Sequence, residues 1–277
     1  MKMRRKSRIT KLGFTFIVLL FLLSALSFSY AMWTENNQIT GSIATMEDFN
    51  YLCLEGYWPL DENSLSITPD LSMNQNDGTV LGATHFPLLG INGCFYFNGA
   101  TDYIYVGDIQ ELDFERTDTF SIITWARYDN SFSFGSIVNK MKIPDNNYRG
   151  WGLGTGNAVD GSIRMHIIHD WNNNALVLDT VNGFDDDSWH HIAVTYDGSS
   201  SPSGSKIYVD GNEENTAIVK NSLTSSIKND ANVQIGAREL VNDRYFKGYI
   251  DEVKIYSCCL SESEIQDIYD EESPLIT

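Results

Sequence analysis

The chain has 277 residues, 42% hydrophobic and 12% aromatic, with 21 Gly and only 6 Pro. That is enough apolar material for a buried core, which excludes disorder, collagen repeats and low-complexity behaviour. Lys and Arg number 19 against 37 Asp and Glu, a net charge of −18, which opposes nucleic acid and anionic lipid and suits cations or neutral polymers.

Six bases, Lys2, Arg4, Arg5, Lys6, Arg8 and Lys11, precede the first acid. Residues 12–34 carry no charge and contain the apolar run Phe14–Leu23, then Ser29-Tyr30-Ala31 with small residues at −3 and −1. Residues 1–31 therefore read as a secretory signal helix, or as an uncleaved signal anchor touching the membrane only through residues 12–34. Both readings leave the remainder outside the cytoplasm, secreted or at the cell surface. Without the six bases the balance is 13 against 37, near −24. Residues 32–49 form a linker; the alternation Ile39, Gly41, Ile43 also allows an extra strand donated to a neighbour.

From residue 50 onwards short alternating or apolar runs predict strands. They fall at 52–60, 94–97, 103–106, 120–127, 136–140, 162–168, 175–179, 190–196, 206–209, 233–235 and 248–256. Asn98-Gly99, Gly154-Thr-Gly156, Asp160-Gly161, Asp197-Gly198 and Asp210-Gly211 punctuate them as turns. One helix is expected over Ser261–Tyr269, with Ser261 as N-cap, Glu264 closing a capping box, and Ile265, Ile268 and Tyr269 on one face. Residues 271–277 read as a frayed acidic tail. The pattern is an all-β sandwich of antiparallel strands. Cys53, Cys94, Cys258 and Cys259 permit disulfides in an oxidising compartment. A bond from Cys53 to one of the adjacent pair requires the first and last strands to be neighbours; free, partly buried thiols are the other reading.

Several stretches in order carry a resemblance. They are Gly56-Tyr-Trp-Pro-Leu-Asp-Glu62, Phe97-Asn-Gly-Ala-Thr-Asp-Tyr103, Phe120-Ser-Ile-Ile-Thr-Trp-Ala126, Asp187-Ser-Trp-His-His-Ile-Ala-Val194, Tyr208-Val-Asp-Gly211 and Gly248-Tyr-Ile-Asp-Glu-Val-Lys-Ile-Tyr256. Together they resemble the laminin-G-like, concanavalin A-like jelly roll over residues 50–270. The resemblance implies an extracellular module that binds glycans or proteins, often with a structural calcium ion joining the first and last strands. The matching positions are Asp61 and Asp251.

Further candidates come from the residues themselves. Asp70, Ser72, Asn74 and Asn76 place oxygen at every second position, which suits calcium or, without an ion, Asx-turns. His166 with His169, and His190 with His191, have spacings that point each pair to opposite faces of a strand and make no zinc site. Trp171, between Asp170 and Asn172, suits a sugar face with hydroxyl-binding neighbours; Tyr148, Arg149 and Trp151 form a second such group. Trp58, Trp125 and Trp189 fit core packing. Glu111-Leu-Asp-Phe-Glu115 resembles the carboxylate triplet of one family of jelly-roll glycosidases, with Glu111 and Glu115 as the catalytic pair. Here it precedes a strand instead of forming one, so the expectation is a binding module rather than an enzyme. An adhesive subunit assembling through residues 32–49 is the structural alternative.

Overall fold

The computed structural model describes residues 53–62, 66–129, 134–143, 147–238 and 244–277. The signal segment and the linker lie outside the described residues, and so does the strand-donation alternative. No described helix is long and apolar enough to cross a membrane.

The chain runs through β1 (Leu54–Trp58), β2 (Ile67–Thr68), β3 (Gly78–Leu81), β4 (Thr84–Phe86), β5 (Cys94–Asn98) and β6 (Tyr103–Gly107). After a 3-10 turn at Gln110–Leu112 come β7 (Phe120–Asp129), β8 (Ser136–Lys142), β9 (Arg149–Thr155), β10 (Ile163–Asp170) and β11 (Asn174–Thr180). The last third holds β12 (Asp186–Tyr196), β13 (Ser205–Val209), β14 (Asn212–Glu213), β15 (Thr216–Asn221), β16 (Val233–Ile235), β17 (Lys247–Tyr256) and the helix α1 (Glu262–Glu272).

Two antiparallel sheets result, in the order β14-β13-β12-β7-β17-β5-β4 and β15-β11-β10-β9-β8-β16-β6-β3-β2, with β1 joining the first sheet on β17. Strand alternation explains the layers. From β7, Phe120, Ile122, Ala126 and Tyr128 enter the space between the sheets, where they meet Trp151 and Leu153 of β9 and Met165 and Ile167 of β10. Ile123 points the other way and is covered by α1 through Ile265. Burial on both faces makes β7 nearly continuous in apolar residues.

All the expected strands form, and β1 lies beside β17 with Trp58 opposite Val253. Cys53 is bonded to Cys258, which selects one of the adjacent pair; Cys94 and Cys259 are free thiols. Asp210 and Gly211 both take positive φ, 49° and 77°, in the tight turn joining β13 and β14.

Three expectations change. Gly154 is not in a turn but in β9, a central strand whose glycines hide its period. Trp189 is only half-buried; its indole donates to the Thr277 carbonyl on the outer face, 3.0 Å away. The tail is not frayed at its start, because α1 runs through Glu271 to Glu272. Glu272 accepts from the Trp125 indole at 2.7 Å and pairs with Lys254.

The helix begins as its sequence dictates. Ser261 accepts the Glu264 amide at 3.3 Å, and Glu264 accepts the Ser261 amide at 2.7 Å. Ser261→Ala is expected to cost about 1 kcal/mol. In a domain this size that lowers the melting temperature by roughly 2–4 °C, measurable by calorimetry.

Candidate functional site

The face of the nine-stranded sheet that looks away from the core carries a trench. On β10, Ile163, Met165 and Ile167 point into the core, so Arg164, His166 and Ile168 point outward. Each is opposite a glycine of β9: Arg164 faces Gly154, His166 faces Gly152 and Ile168 faces Gly150. On the far side of β9, the partners of those glycines are Ser136, Asn139 and Met141 of β8. A row of residues without side chains thus runs between two walls, the use of glycine in a strand where something must come close. At Gly154 even a methyl group would meet the Gly135 carbonyl oxygen at 2.4 Å.

Aromatic rings close one end. Trp171 sits in the turn after β10, and its amide donates to the Asn147 carbonyl at 3.0 Å, tying that turn to the segment before β9. Tyr148, on that segment, meets Trp171 edge to face with 6.2 Å between ring centres, and His166 lies 6.2 Å from the same indole. Arg238 stands over the Tyr148 ring at 4.6 Å, Lys220 over Trp171 at 4.6 Å, and Arg244 over Phe134 at 5.1 Å. The cavity, open on one side, is about 380 Å³.

Its electrostatics run against the chain's average. Arg164, Arg238 and Arg244 line the cavity, and no carboxylate does among the described residues. Arg164 is held by Asp179, its cross-strand neighbour on β11, through Nε at 2.5 Å and a terminal nitrogen at 2.7 Å. Burial, and then the three guanidinium groups, keep the His166 imidazole well below its usual pKa and therefore neutral. Three arginines thus stand in one cavity of a chain whose net charge is −18.

Tyr148 and Trp171 are thus brought together, while other expected binding residues are not. Trp151 is a core residue, 1% exposed, whose indole donates to the Leu112 carbonyl at 2.9 Å. Its position on β9 sends it to the face opposite the glycines. Asp170 accepts the Asn172 amide at 2.8 Å and so shapes the turn that presents Trp171. Arg164, His166, Arg238 and Arg244 were missed by sequence reasoning. The signal for the first two was available in the alternation of Gly150, Gly152 and Gly154 alongside Arg164 and His166; the last two come from a distant segment.

A second group of charges lies where β17 branches. β7 pairs along one side of β17, but the other side takes β5 over Lys247–Ile250 and β1 over Val253–Tyr256. At the branch, Asp251 accepts the Ile91 amide at 2.6 Å and the Glu252 amide at 3.1 Å, replacing ladder bonds. Asp61, just beyond β1, joins them: Asp61, Asp251 and Glu252 each offer an oxygen, all within 4.8 Å of one another. Asp61 Oδ1 is buried without a hydrogen-bond partner. Burial, then Glu252 and Glu62, push the Asp61 carboxyl up to about 7, and burial above all raises Asp251.

Asp70, Asn74 and Asn76 are engaged elsewhere. The Asp70 carboxylate accepts the amides of Tyr57, Ser72 and Asn76 at 2.8, 2.9 and 2.9 Å. Asn74 donates to Glu55, and the Asn76 carbonyl accepts the Trp58 indole at 3.0 Å. These are Asx-turn contacts that fasten β1. Glu111 lies in the 3-10 turn, Asp113 pairs with Lys140 at 2.9 Å, and Glu115 accepts the Arg116 amide at 2.6 Å. The three do not share a strand face.

The chain matches the family described as the concanavalin A-like lectin/glucanases superfamily over residues 98–266. No curated protein sequence matches it. Among solved structures it is similar to the binding domain of Paraclostridial Mosquitocidal Protein 1, at 18% identity and a TM-score of 0.60, covering 80% of this chain and 52% of that one. The binding domain of Botulinum neurotoxin DC in complex with rat synaptotagmin II gives 14% identity and a TM-score of 0.57, with 80% and 52% covered. The ligand binding domain of Botulinum neurotoxin serotype D in complex with N-acetylneuraminic acid gives 17% identity and 0.58, with 81% and 52% covered. The chain therefore spans about half the length of each, and the likeness is one of fold.

Proposed function

The chain belongs to the concanavalin A-like lectin/glucanases superfamily, and we propose that within it this protein is a non-catalytic, extracytoplasmic module that binds carbohydrate in the trench along β9. The observation that carries this reading is the glycine floor beside Trp171 and Tyr148. A sugar lays its apolar face on an aromatic ring while its hydroxyls find amides and imidazole nearby. Neutral His166 and Asn157 are such partners in the same cavity. The disulfide supports an oxidising, extracytoplasmic location. The dispersal of Glu111, Asp113 and Glu115 supports binding rather than hydrolysis.

The test is a glycan array on the purified protein, repeated with Trp171→Ala. Removing the ring is expected to weaken any bound glycan about tenfold or more, without altering the melting temperature beyond 1–2 °C. An array with no binding, or binding indifferent to the substitution, removes the reading.

The same proposal includes a structural calcium ion at the branch of β17. Asp61, Asp251 and Glu252 are hard oxygen donors of the right type and spacing, and the orphaned Asp61 oxygen fits a cation. When bound, the ion supplies positive charge that offsets the three carboxylates and ties β1 to β17. Glu252 is also held by the Tyr57 hydroxyl at 2.8 Å and by Lys254 at 2.6 Å, which fixes it in place.

A further inference from the structure

We infer that Lys220 sets the specificity of the trench: it takes the cation seat of the Trp171 ring from behind, so that the front accepts an uncharged sugar and turns away one bearing an ammonium group. This rests on the reading of the trench as a glycan site and names the class of glycan.

Position is the first ground. Lys220 of β15 is opposite Val177 of β11, Val177 is opposite His166 of β10, and His166 is opposite Gly152 of β9. Directly opposed residues share a face, so these four form one row across the outward side of the sheet. The Trp171 indole lies over that row, packed on the cluster of Met141, Ile168, Ala175 and Val177. The Lys220 ammonium is 4.6 Å from the ring centre on the β15 side, and the His166 ring is 6.2 Å away on the β9 side. The indole lines the cavity and Lys220 does not. Ammonium and cavity therefore lie on opposite sides of the ring.

Charge is the second ground. Among the described residues no carboxylate pairs with Lys220, although the chain holds 37 acids. The π face of the indole holds the ammonium instead. A ring that already bears one cation draws a second far less, because like charges across it repel. The face turned to the trench is left to a ligand that needs dispersion contact and not charge.

The lining points the same way. No carboxylate is part of it among the described residues, so an entering ammonium group finds no counter-charge. His166 shows the outcome within the protein itself, since burial and then the neighbouring guanidinium groups keep its imidazole unprotonated. A site that refuses a proton to its own imidazole refuses an ammonium group by the same physics. An anion is opposed by the rest of the surface, in a chain whose net charge is −18. Hydroxyl and acetamide groups remain, and a neutral imidazole can both donate to them and accept from them. Of the two ligand classes that the net charge leaves open, cations and neutral polymers, the trench takes the second.

The experiment is titration calorimetry on the full chain at pH 6, where a sugar amine is protonated and His166 is not. The matched probes are triacetylchitotriose against chitotriose, N-acetylgalactosamine against galactosamine, and galactose against galacturonic acid. Any glycan found on the array joins them, paired with its amine-bearing analogue. In at least one pair the uncharged probe is expected to bind about fivefold or more tightly than the free amine. Lys220→Met keeps the stem and loses the charge, and should cut that preference severalfold. Lys220→Arg keeps a cation over the ring and should retain it. Should Lys220→Met not fold, Lys220→Gln takes its place. Equal binding of uncharged and amine-bearing partners overturns the inference and leaves the glycan reading standing, and so does a preference untouched by loss of the Lys220 charge. Tighter binding of galacturonic acid than of galactose overturns the uncharged assignment, and no binding of any probe, with an empty glycan array, overturns both.

Discussion

Replacing Cys53 and Cys258 together by serine is expected to lower unfolding stability by about 2–5 kcal/mol, a fall of roughly 4–20 °C in melting temperature. The bond closes a sequence separation of 205 residues, and cross-links that close long loops remove most freedom from the unfolded chain. Local structure points the same way. β1 is five residues long and has one ladder partner, β17, with a register shift between Leu54 and Gly56. Yet this strand carries Trp58, fully buried, into the core. Without the bond, β1 depends on the Asx-turn loop around Asp70 and on a short ladder. Urea unfolding of the double variant checks this, with Cys259→Ser as control, since that exposed thiol is free and should change stability by no more than about 0.5 kcal/mol. A double variant as stable as the control would show that β1 is held by packing alone.

The adjacency of β1 and β17 was legible in the sequence only through resemblance, whereas the strands themselves were legible from their own alternation. β7, β10 and β12 declare themselves as short runs that are either alternating or nearly continuous in apolar residues. β9 does not. Gly150, Gly152 and Gly154 remove the polar half of its alternation, and Gly154-Thr-Gly156 imitates a turn. The same three residues make the trench, so the feature that hid the strand is the one that gives it a use. Trp151 misleads for a related reason: beside Tyr148 and Arg149 it looks like a surface aromatic, but the parity of β9 sends it inward. Very short strands such as β2 and β14 carry too few residues for any period to register.

Charge was legible as a sum and not as a map. A net charge of −18 describes the surface as a whole, and nothing in it foretells that Arg164 of β10 converges with Arg238 and Arg244, which precede β17. Convergence of that kind is set by sheet order, with β16 beside β8, and sheet order is not written in local sequence. The Asp61–Asp251 approach is the complementary case. Once β1 and β17 are adjacent, the two positions must come near each other, so pairing alone places the carboxylates.

That placement sets up two effects of opposite sign, both measurable by melting curves at pH 8. In protein stripped with a chelator, Asp61→Asn is expected to raise the melting temperature. Three carboxylate oxygens within 4.8 Å repel one another, and burial adds to the cost of holding Asp61 charged, so losing one charge relieves the site. With calcium present at about a hundred times its dissociation constant, the unaltered protein should gain about 2.7 kcal/mol, roughly 5–11 °C. Asp61→Asn should gain far less, so the order of the two proteins reverses when calcium is added. A merely structural Asp61 predicts loss of stability in both conditions, and an unchanged melt of fully stripped protein on adding calcium rules the ion out. The disulfide sharpens the measurement. Cys53–Cys258 ties one end of the β1–β17 ladder, and a calcium ion bound by Asp61 and Asp251 would tie the other, so the two restraints would act on one strand. Contacts that share an element are not additive, and chelation is expected to cost the Cys53→Ser, Cys258→Ser variant more than it costs the unaltered protein.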